Sequence, residues 1–177
     1  FDCDHRLESL FQESFPEVDV KGTRFKNPME WVDEYEFDGC VAIGDLPSFF
    51  RNSAEEFPGE PYLKASPIHF DAPRIGIAWT GGLANTGSVK RSLTLEDMLP
   101  IFLAAPKAKW VSLEYKNRPE LFSFRDKYGI DIEDRPEPKS KNYSETASLV
   151  AGLDLVISVT TAVVHLAGAL GKTAWVL

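Results

Sequence analysis

The second half of the chain alternates between apolar runs and stretches whose apolar residues have helical spacing. Residues 74–79, 109–115 and 153–159 are apolar at most positions and are bounded by polar or glycine-rich turns. Strands of that composition must be covered on both faces, which is typical of a parallel sheet flanked by helices. The pattern therefore predicts an α/β fold built on a Rossmann-like parallel sheet.

Helices are predicted between these strands, because residues typical of helix ends mark where they begin. The predicted starts are Thr94, paired with Asp97, then Pro119 and Ser144, with a further apolar helix after Thr161. In doubly wound sheets ligands bind beyond the carboxyl ends of the strands. The loops after Trp79, Tyr115 and Val159 are thus the predicted places for a binding site.

The first half of the chain has a less regular pattern. Residues 5–14 have apolar positions at helical spacing, and residues 40–43 are predicted to form a buried strand before a short helix near Pro47. Prolines around a glycine then break the periodicity, which places a linker near residues 58–72. The predicted units are residues 1–62, a small α/β part that ends in the linker, and residues 63–177, the Rossmann-like domain.

The composition and the net charge argue against a nucleic-acid-binding or membrane-spanning protein. The chain has 177 residues, 44% of them hydrophobic, and a net charge of −8. Because nucleic acids and anionic membranes bind surfaces of positive potential, no nucleic-acid partner is predicted for a chain of this net charge. An anionic ligand would have to be bound by cationic side chains or N–H donors at the site itself. No apolar run approaches the roughly 20 residues of a membrane helix. Cys3 and Cys40 are read as reduced thiols of a cytoplasmic protein, with a single disulfide left open.

The loop that follows Trp79, "TGGLANTGSVKRS", is the first candidate site. It combines Gly81 and Gly82 with Lys90 and Arg91, and exposed backbone N–H groups beside two cations suit a phosphate ligand. The loop is not a Walker motif, and no dinucleotide G-x-G-x-x-G follows a strand. From the residues alone, a mobile surface loop with solvated cations remains the alternative.

The second candidate site is the strand-to-helix turn in "VISVTTAVVHLAGALG". Ser158, Thr160 and Thr161 lie where hydroxyls cap a helix start or leave its N–H groups to a diphosphate. His165 comes four residues after Thr161, so both side chains share one helix face. The alternative is a histidine packed in the core of an apolar helix. No metal site is predicted, since "DCDH" at residues 2–5 reads as a solvated helix start.

The same residues resemble a known family. "DLVISVTTAVVHLAGALGKTAWVL" is similar to the hallmark segment D-L-V-I-S-V-D-T-A-x-A-H-L-A-G-A-L-G-K-P of bacterial tetratricopeptide-linked glycosyltransferases related to the ADP-heptose:lipopolysaccharide heptosyltransferases. "GIAWTGG", "KRSLTLEDM" and "WVSLEY" look like earlier parts of that family's nucleotide-sugar domain, and "IGDLPSFFRNS" like the end of its preceding domain. The resemblance spans nearly the whole chain.

The resemblance implies a GT-B glycosyltransferase that uses a nucleoside-diphosphate sugar. Residues 1–62 would be the remnant of the acceptor-side domain, and residues 63–177 an incomplete donor domain whose truncation leaves the chain inactive by itself. The residues expected to contact the donor are Gly81, Gly82, Lys90, Arg91, Ser158, Thr160, Thr161 and His165. The resemblance implies a protein or lipopolysaccharide-type acceptor and requires no cofactor or metal ion. It does not identify the catalytic residue, the nucleotide base, the sugar or the oligomeric state.

Two positions depart from the family pattern. Thr160 stands where the family usually has Asp, and Thr173 where it usually has Pro. Threonine still caps a helix and removes a negative charge beside a bound anion, but it does not replace a carboxylate that bonds sugar hydroxyls. A non-catalytic nucleotide- or protein-binding module derived from the same family is therefore the alternative function.

Overall fold

The computed structural model describes residues 1–24, 30–81, 91–114, 118–134 and 142–177. Its strands are β1 (Asp2–Asp4), β2 (Lys21–Arg24), β3 (Ile75–Ala78), β4 (Trp110–Ser112), β5 (Ile132–Glu133), β6 (Leu155–Ser158) and β7 (Ala174–Val176). Its α-helices are α1 (Glu8–Ser14), α2 (Leu46–Phe50), α3 (Leu99–Ala104), α4 (Arg118–Tyr128), α5 (Tyr143–Gly152) and α6 (Ala162–Ala169). None of the helices in these ranges is long and apolar enough to cross a membrane.

Five of the strands form one parallel sheet in the order β5-β4-β3-β6-β7. In its centre β3 pairs with β6 over four positions, from Ile75 opposite Leu155 to Ala78 opposite Ser158. Helices lie between successive strands of this sheet, so the predicted α/β fold with a Rossmann-like sheet is confirmed.

The strand order creates a topological switch point between β3 and β6. From β3 the chain builds outward through β4 to β5, then returns to place β6 on the other side of β3 and continues to β7. The loops that leave the carboxyl ends of β3 and β6 therefore diverge to opposite sides of the sheet. In open α/β sheets the crevice between two such loops is where ligands bind.

Two hydrophobic clusters fill the two faces of the sheet. Successive side chains of a strand point to opposite faces, so neighbouring residues such as Trp110 and Val111 belong to different clusters. One cluster joins the sheet to α3 and α4 and includes Ile77, Trp79, Met98, Phe102, Trp110 and Phe124. The other joins it to α1, α5 and α6 and includes Leu10, Val111, Val150, Leu153, Val156 and Leu166. Burial on both faces accounts for the nearly continuous apolar runs.

Side-chain hydrogen bonds to nearby backbone amides lie at or just before the starts of α3 and α5. Thr94 and Asp97 form the predicted reciprocal pair, although the regular helix α3 starts only at Leu99. The predicted cap at Ser144 is wrong, because the Asn142 side chain accepts the Ser144 N–H and caps α5 instead. Asparagine reaches that amide from an extended backbone, which is the geometry of an N-cap residue.

The N-terminal segment packs against the sheet's own helices. Helix α1 lies against α5, the Tyr143 amide donates to the Arg6 carbonyl, and Leu10 is fully buried in the second cluster. The irregular segment before β3 also bonds to this layer, since the amides of Tyr62 and Leu63 both donate to the Ala169 carbonyl. The division at residues 62 and 63 stays a prediction, and hydrophobic contacts of Leu10 cross it.

The predicted buried strand at residues 40–43 is wrong. Residues 40–42 form no strand, and residues 43–45 form a 3-10 turn that leads into α2. Val41 and Ile43 are 44% and 61% exposed, and Phe49 and Phe50 of α2 are 67% and 66% exposed. An apolar run becomes a strand only when a neighbouring strand accepts its backbone hydrogen bonds, and none of the described strands does so.

The turn after β1 makes folding stability sensitive to acid. Asp4 accepts the Arg6 amide and two guanidinium N–H groups at 2.9 to 3.0 Å, and these bonds lower the pKa of Asp4 from 3.8 to about 2. A depressed pKa stabilises the folded state above the unfolded-state value and ceases to do so as the pH falls through the folded-state value. Asp4→Asn is therefore expected to be less stable than the wild type above about pH 4, with the difference disappearing toward pH 2. Urea unfolding at several pH values measures it, and a difference unchanged across that range would contradict the assignment.

Candidate functional site

The candidate site lies at the carboxyl ends of β3 and β6. The last residues of these strands, Ala78 and Ser158, are paired across the sheet, so the segments that follow leave it side by side. Thr80 and Gly81 follow β3, and Thr160 and Thr161 follow β6. Two of the three sequence-predicted loops therefore begin at the same edge of the sheet, at the switch point between the strands. Tyr115, where the third predicted loop begins, lies outside the described residues.

Thr161 starts α6 as an N-cap residue. Its backbone is extended, with φ −137° and ψ 176°, and its Oγ1 accepts the Val163 N–H at 3.2 Å. The Thr161 carbonyl accepts the first turn's Val164 N–H at 3.1 Å. The helix therefore presents its positive N-terminal end at the sheet edge where the β3 loop also emerges. The predicted role of Thr161 as the residue that opens the helix is confirmed.

Gly81 lies where the two loops meet. A Cβ atom added at this position would be 2.6 Å from the Arg91 carbonyl oxygen and 3.3 Å from the Thr160 carbonyl oxygen. The Gly81 amide donates to the Ser92 side chain at 3.0 Å, so its N–H already has a partner within the protein. Glycine is thus needed here for a close approach of three backbone segments.

Arg91 connects the end of the first loop to the start of the second. Its guanidinium donates to the Thr160 carbonyl at 2.8 Å, and two residues later the Leu93 amide donates to the Trp79 carbonyl at 2.8 Å. A guanidinium carries five N–H donors, and this contact uses one of them. Arg91 is exposed and places positive charge beside the N-terminus of α6, where an anion would also be attracted.

The remaining residues predicted to contact the donor differ in their burial and in whether the structure describes them. Gly82 and Lys90 lie outside the described residues, so their predicted contacts stay predictions. Ser158 is fully buried, and its hydroxyl donates to the Val159 carbonyl at 2.7 Å, which fixes the strand end. Thr160 is exposed at the edge of the sheet, with its carbonyl held by Arg91.

His165 is exposed on α6. The interpretation of this residue as a histidine packed in the core is therefore wrong, because the buried positions of the helix are taken by Leu166, Ala167 and Ala169. One helical turn separates His165 from Thr161, and the two lie on the same face. The predicted contact of His165 with a donor stays a prediction.

Two glutamates that the sequence reading missed hold the end of β3 in place. Glu114, 7% exposed, accepts the amides of Trp79 and Thr80 at 3.0 and 2.7 Å and the Thr80 hydroxyl at 2.7 Å. Glu120 of α4 accepts the Trp79 indole N–H at 3.0 Å. Only Glu114 has a signal in the sequence: it lies two residues after the end of the buried strand β4, where a charged residue needs local partners.

Comparisons with known proteins give one distant relative. The chain is 28% identical to Protein FlbA from Caulobacter vibrioides over 198 aligned positions, which cover 98% of the chain. The chain spans 33%, about a third, of the length of that protein. No family model matches the chain, and no solved structure matches it.

The arrangement is chemically suited to holding an anion. It combines a helix N-terminus, a cationic guanidinium and threonine hydroxyls at one edge of the sheet. In the described ranges no three His, Cys, Asp or Glu side chains are grouped to hold a metal ion, and Cys3 and Cys40 are both free. A ligand here would be met by hydrogen bonds and by positive charge from the protein.

Replacing Thr161 tests the cap at the start of α6. Thr161→Ala removes the oxygen that accepts the Val163 N–H and is expected to lower the free energy of unfolding by about 1 kcal/mol. The matched control is Thr173→Ala, because the side chain of Thr173 is exposed and contributes no cap. Equal unfolding free energies for the two variants, measured by urea denaturation, would contradict the capping role.

Proposed function

We propose that this chain is the donor-binding part of a GT-B-type glycosyltransferase and that a nucleoside-diphosphate sugar binds at the switch point between β3 and β6. The observation that carries the proposal is the contact between Arg91 and Thr160, which joins a cation to a helix N-terminus at that point. The similarity of residues 154–177 to the heptosyltransferase-related hallmark supplies the reaction class.

The residues have electrostatic roles in this proposal. Negative charge develops on the diphosphate as the sugar departs, and N–H groups of the α6 start together with Lys90 and Arg91 stabilise it. Gly81 and Gly82 let the β3 loop approach the phosphates, and His165 faces a sugar hydroxyl or phosphate oxygen. The scheme needs no metal ion or cofactor, and it places the reaction in the cytoplasm with a protein or lipopolysaccharide-type acceptor.

Calorimetric titration of the chain with UDP, ADP and NAD tests the proposal. We expect at least one nucleoside diphosphate to bind and Arg91→Ala to weaken that binding on the order of tenfold, as for the loss of one charge-assisted hydrogen bond. Arg125→Ala is the matched control, since Arg125 lies on α4 and its guanidinium stacks near the Phe122 ring. If NAD binds and neither UDP nor ADP does, the result would instead favour a dinucleotide-dependent α/β enzyme.

A non-catalytic binding module derived from the same family is the second candidate. It is favoured by Thr160, which is exposed at the site and offers no carboxylate where the family usually has Asp. In the full-length protein that contains this chain, Thr160→Asp should raise sugar transfer if the missing carboxylate limits catalysis. Transfer by the wild type at a rate that Thr160→Asp does not improve would exclude the non-catalytic module.

A further inference from the structure

We propose that Glu114 is a positioning residue of the candidate site, which occupies the backbone N–H donors at the end of β3 and thereby directs the donor diphosphate to the start of α6. The inference rests on the proposed function and deepens it. It assigns a role to the buried carboxylate of Glu114. It also distinguishes the end of β3 from the start of α6, two backbone segments whose N–H groups could each bind phosphate.

The amides at the end of β3 all have protein acceptors. Those of Trp79 and Thr80 donate to one oxygen of Glu114, at 3.0 and 2.7 Å, and the Thr80 hydroxyl donates to the other at 2.7 Å. The amide of Gly81 donates to the Ser92 side chain at 3.0 Å. Consecutive N–H groups after the first strand of a nucleotide-binding sheet ordinarily form the anion site. Here a carboxylate of the protein takes the place of the anion.

Glu114 is itself fixed in position. Its side chain is 7% exposed, and its amide donates to the hydroxyl of Ser112, a residue that is 1% exposed at the end of β4. A second anion at Trp79 and Thr80 would have to displace this buried carboxylate and would meet its negative charge. Phosphate is therefore excluded from the β3 end as long as the Glu114 side chain accepts the Trp79 and Thr80 amides.

The effect of Glu114 extends to the second loop. Thr80, held by two hydrogen bonds to Glu114, precedes Gly81, and an added Cβ on Gly81 would be 3.3 Å from the Thr160 carbonyl oxygen. The position of Thr80 thus sets how closely the β3 segment approaches the turn before α6. Glu114 acts through these residues and touches no ligand in this scheme.

Amide chemical shifts during titration with inorganic pyrophosphate test the proposal. In the wild type, pyrophosphate should shift the amides of Thr161 to Val163 and leave those of Trp79 and Thr80 unchanged. In Glu114→Ala the amides of Trp79 and Thr80 should shift as well, because they become available to the anion. In Glu114→Gln an amide oxygen still accepts these two N–H groups, so the wild-type pattern should return.

Glu120→Ala is the matched control for Glu114→Ala. Glu120 also contacts Trp79, but through the indole N–H rather than the backbone amide, so its loss should not open an anion site. A purely structural role for Glu114 would lower thermal stability in Glu114→Ala without any new response of the Trp79 and Thr80 amides to pyrophosphate. That result would overturn the proposal, as would pyrophosphate shifts of these two amides in the wild type.

A measurement on the wild type keeps the proposal testable if Glu114→Ala does not fold. Scalar couplings across the hydrogen bonds should connect the Trp79 and Thr80 amide nitrogens to the side-chain carboxyl carbon of Glu114, and their absence would overturn the proposal. Failure of the proposed function has a different signature: UDP and ADP would leave the Thr161 amide unchanged, whatever the couplings show.

Discussion

Gly81→Ala is expected to weaken nucleoside-diphosphate binding by at least about tenfold and to lower the free energy of unfolding by about 1 to 3 kcal/mol. The added methyl would lie 2.6 Å from the Arg91 carbonyl oxygen, which is too close for any real contact, and 3.3 Å from that of Thr160. The obstacles are backbone atoms rather than the far ends of flexible side chains. The two loops would have to separate, and the contact of Arg91 with Thr160 would be lost with them.

Gly168→Ala is the matched control for Gly81→Ala. Gly168 lies within α6, and a Cβ added there would meet nothing within 4 Å. Alanine favours a helix over glycine by roughly 0.5 to 1 kcal/mol, so this variant should be slightly more stable and should bind nucleotide like the wild type. Equal behaviour of the two variants in urea denaturation and calorimetry would show that the loops do not need their close contact at Gly81.

Leu10→Ala is expected to lower the free energy of unfolding of the whole chain by about 2 to 5 kcal/mol. Leu10 is fully buried in the cluster that also contains Val111 and Val156 of the central strands. Truncation leaves a cavity between α1 and the helices on that face of the sheet. The expected loss is large because a rigid sheet cannot close in on the space.

Leu103→Ala is the control for Leu10→Ala, since Leu103 of α3 is 65% exposed. Its truncation should change stability by no more than about 0.5 kcal/mol. Urea denaturation followed by tryptophan fluorescence measures both variants, because Trp79 and Trp110 are buried in the sheet's other cluster. If Leu10→Ala left that transition unchanged, α1 would not be part of the core and residues 1–62 would behave as a separate unit.

The sheet was predictable because its strands are buried on both faces. The runs around Ile77, Val111 and Ile157 are apolar at successive positions, and only a two-sided core requires that. The strand order itself was not readable from those runs, since pairing joins residues far apart in the chain. The switch point followed from the structure, where β6 pairs with β3 rather than with β5.

The candidate site was predictable at Thr161 and not at Glu114. A threonine between an apolar strand and an apolar helix has a local reason to cap, and the structure shows the cap. Glu114 acts on Trp79 and Thr80, which are 35 and 34 positions away in sequence, so no local pattern reveals it. His165 shows the same limit, because apolar neighbours indicate a buried helix but not which of its positions is exposed.

The wrong strand at residues 40–43 has a related cause. Its residues have the composition of a buried strand, yet composition does not supply a partner strand or a covering layer. Val41 and Ile43 are exposed for that reason. By contrast, the first helix was predicted correctly, since Leu10 lies at helical spacing and finds a packing surface on α5.

The most direct test of nucleotide binding at the switch point is a map of amide chemical shifts during titration with UDP and with ADP. We expect the largest shifts at Gly82 and at Thr161, with smaller ones along the first turn of α6, while the Trp79 and Thr80 amides stay bonded to Glu114 and do not shift. Arg74 and Asp154, which are bonded to each other just before β3 and β6 at the opposite end of the sheet, should not respond. If both nucleotides reach millimolar concentration and no amide near Gly82 or Thr161 moves, this chain does not hold a donor there.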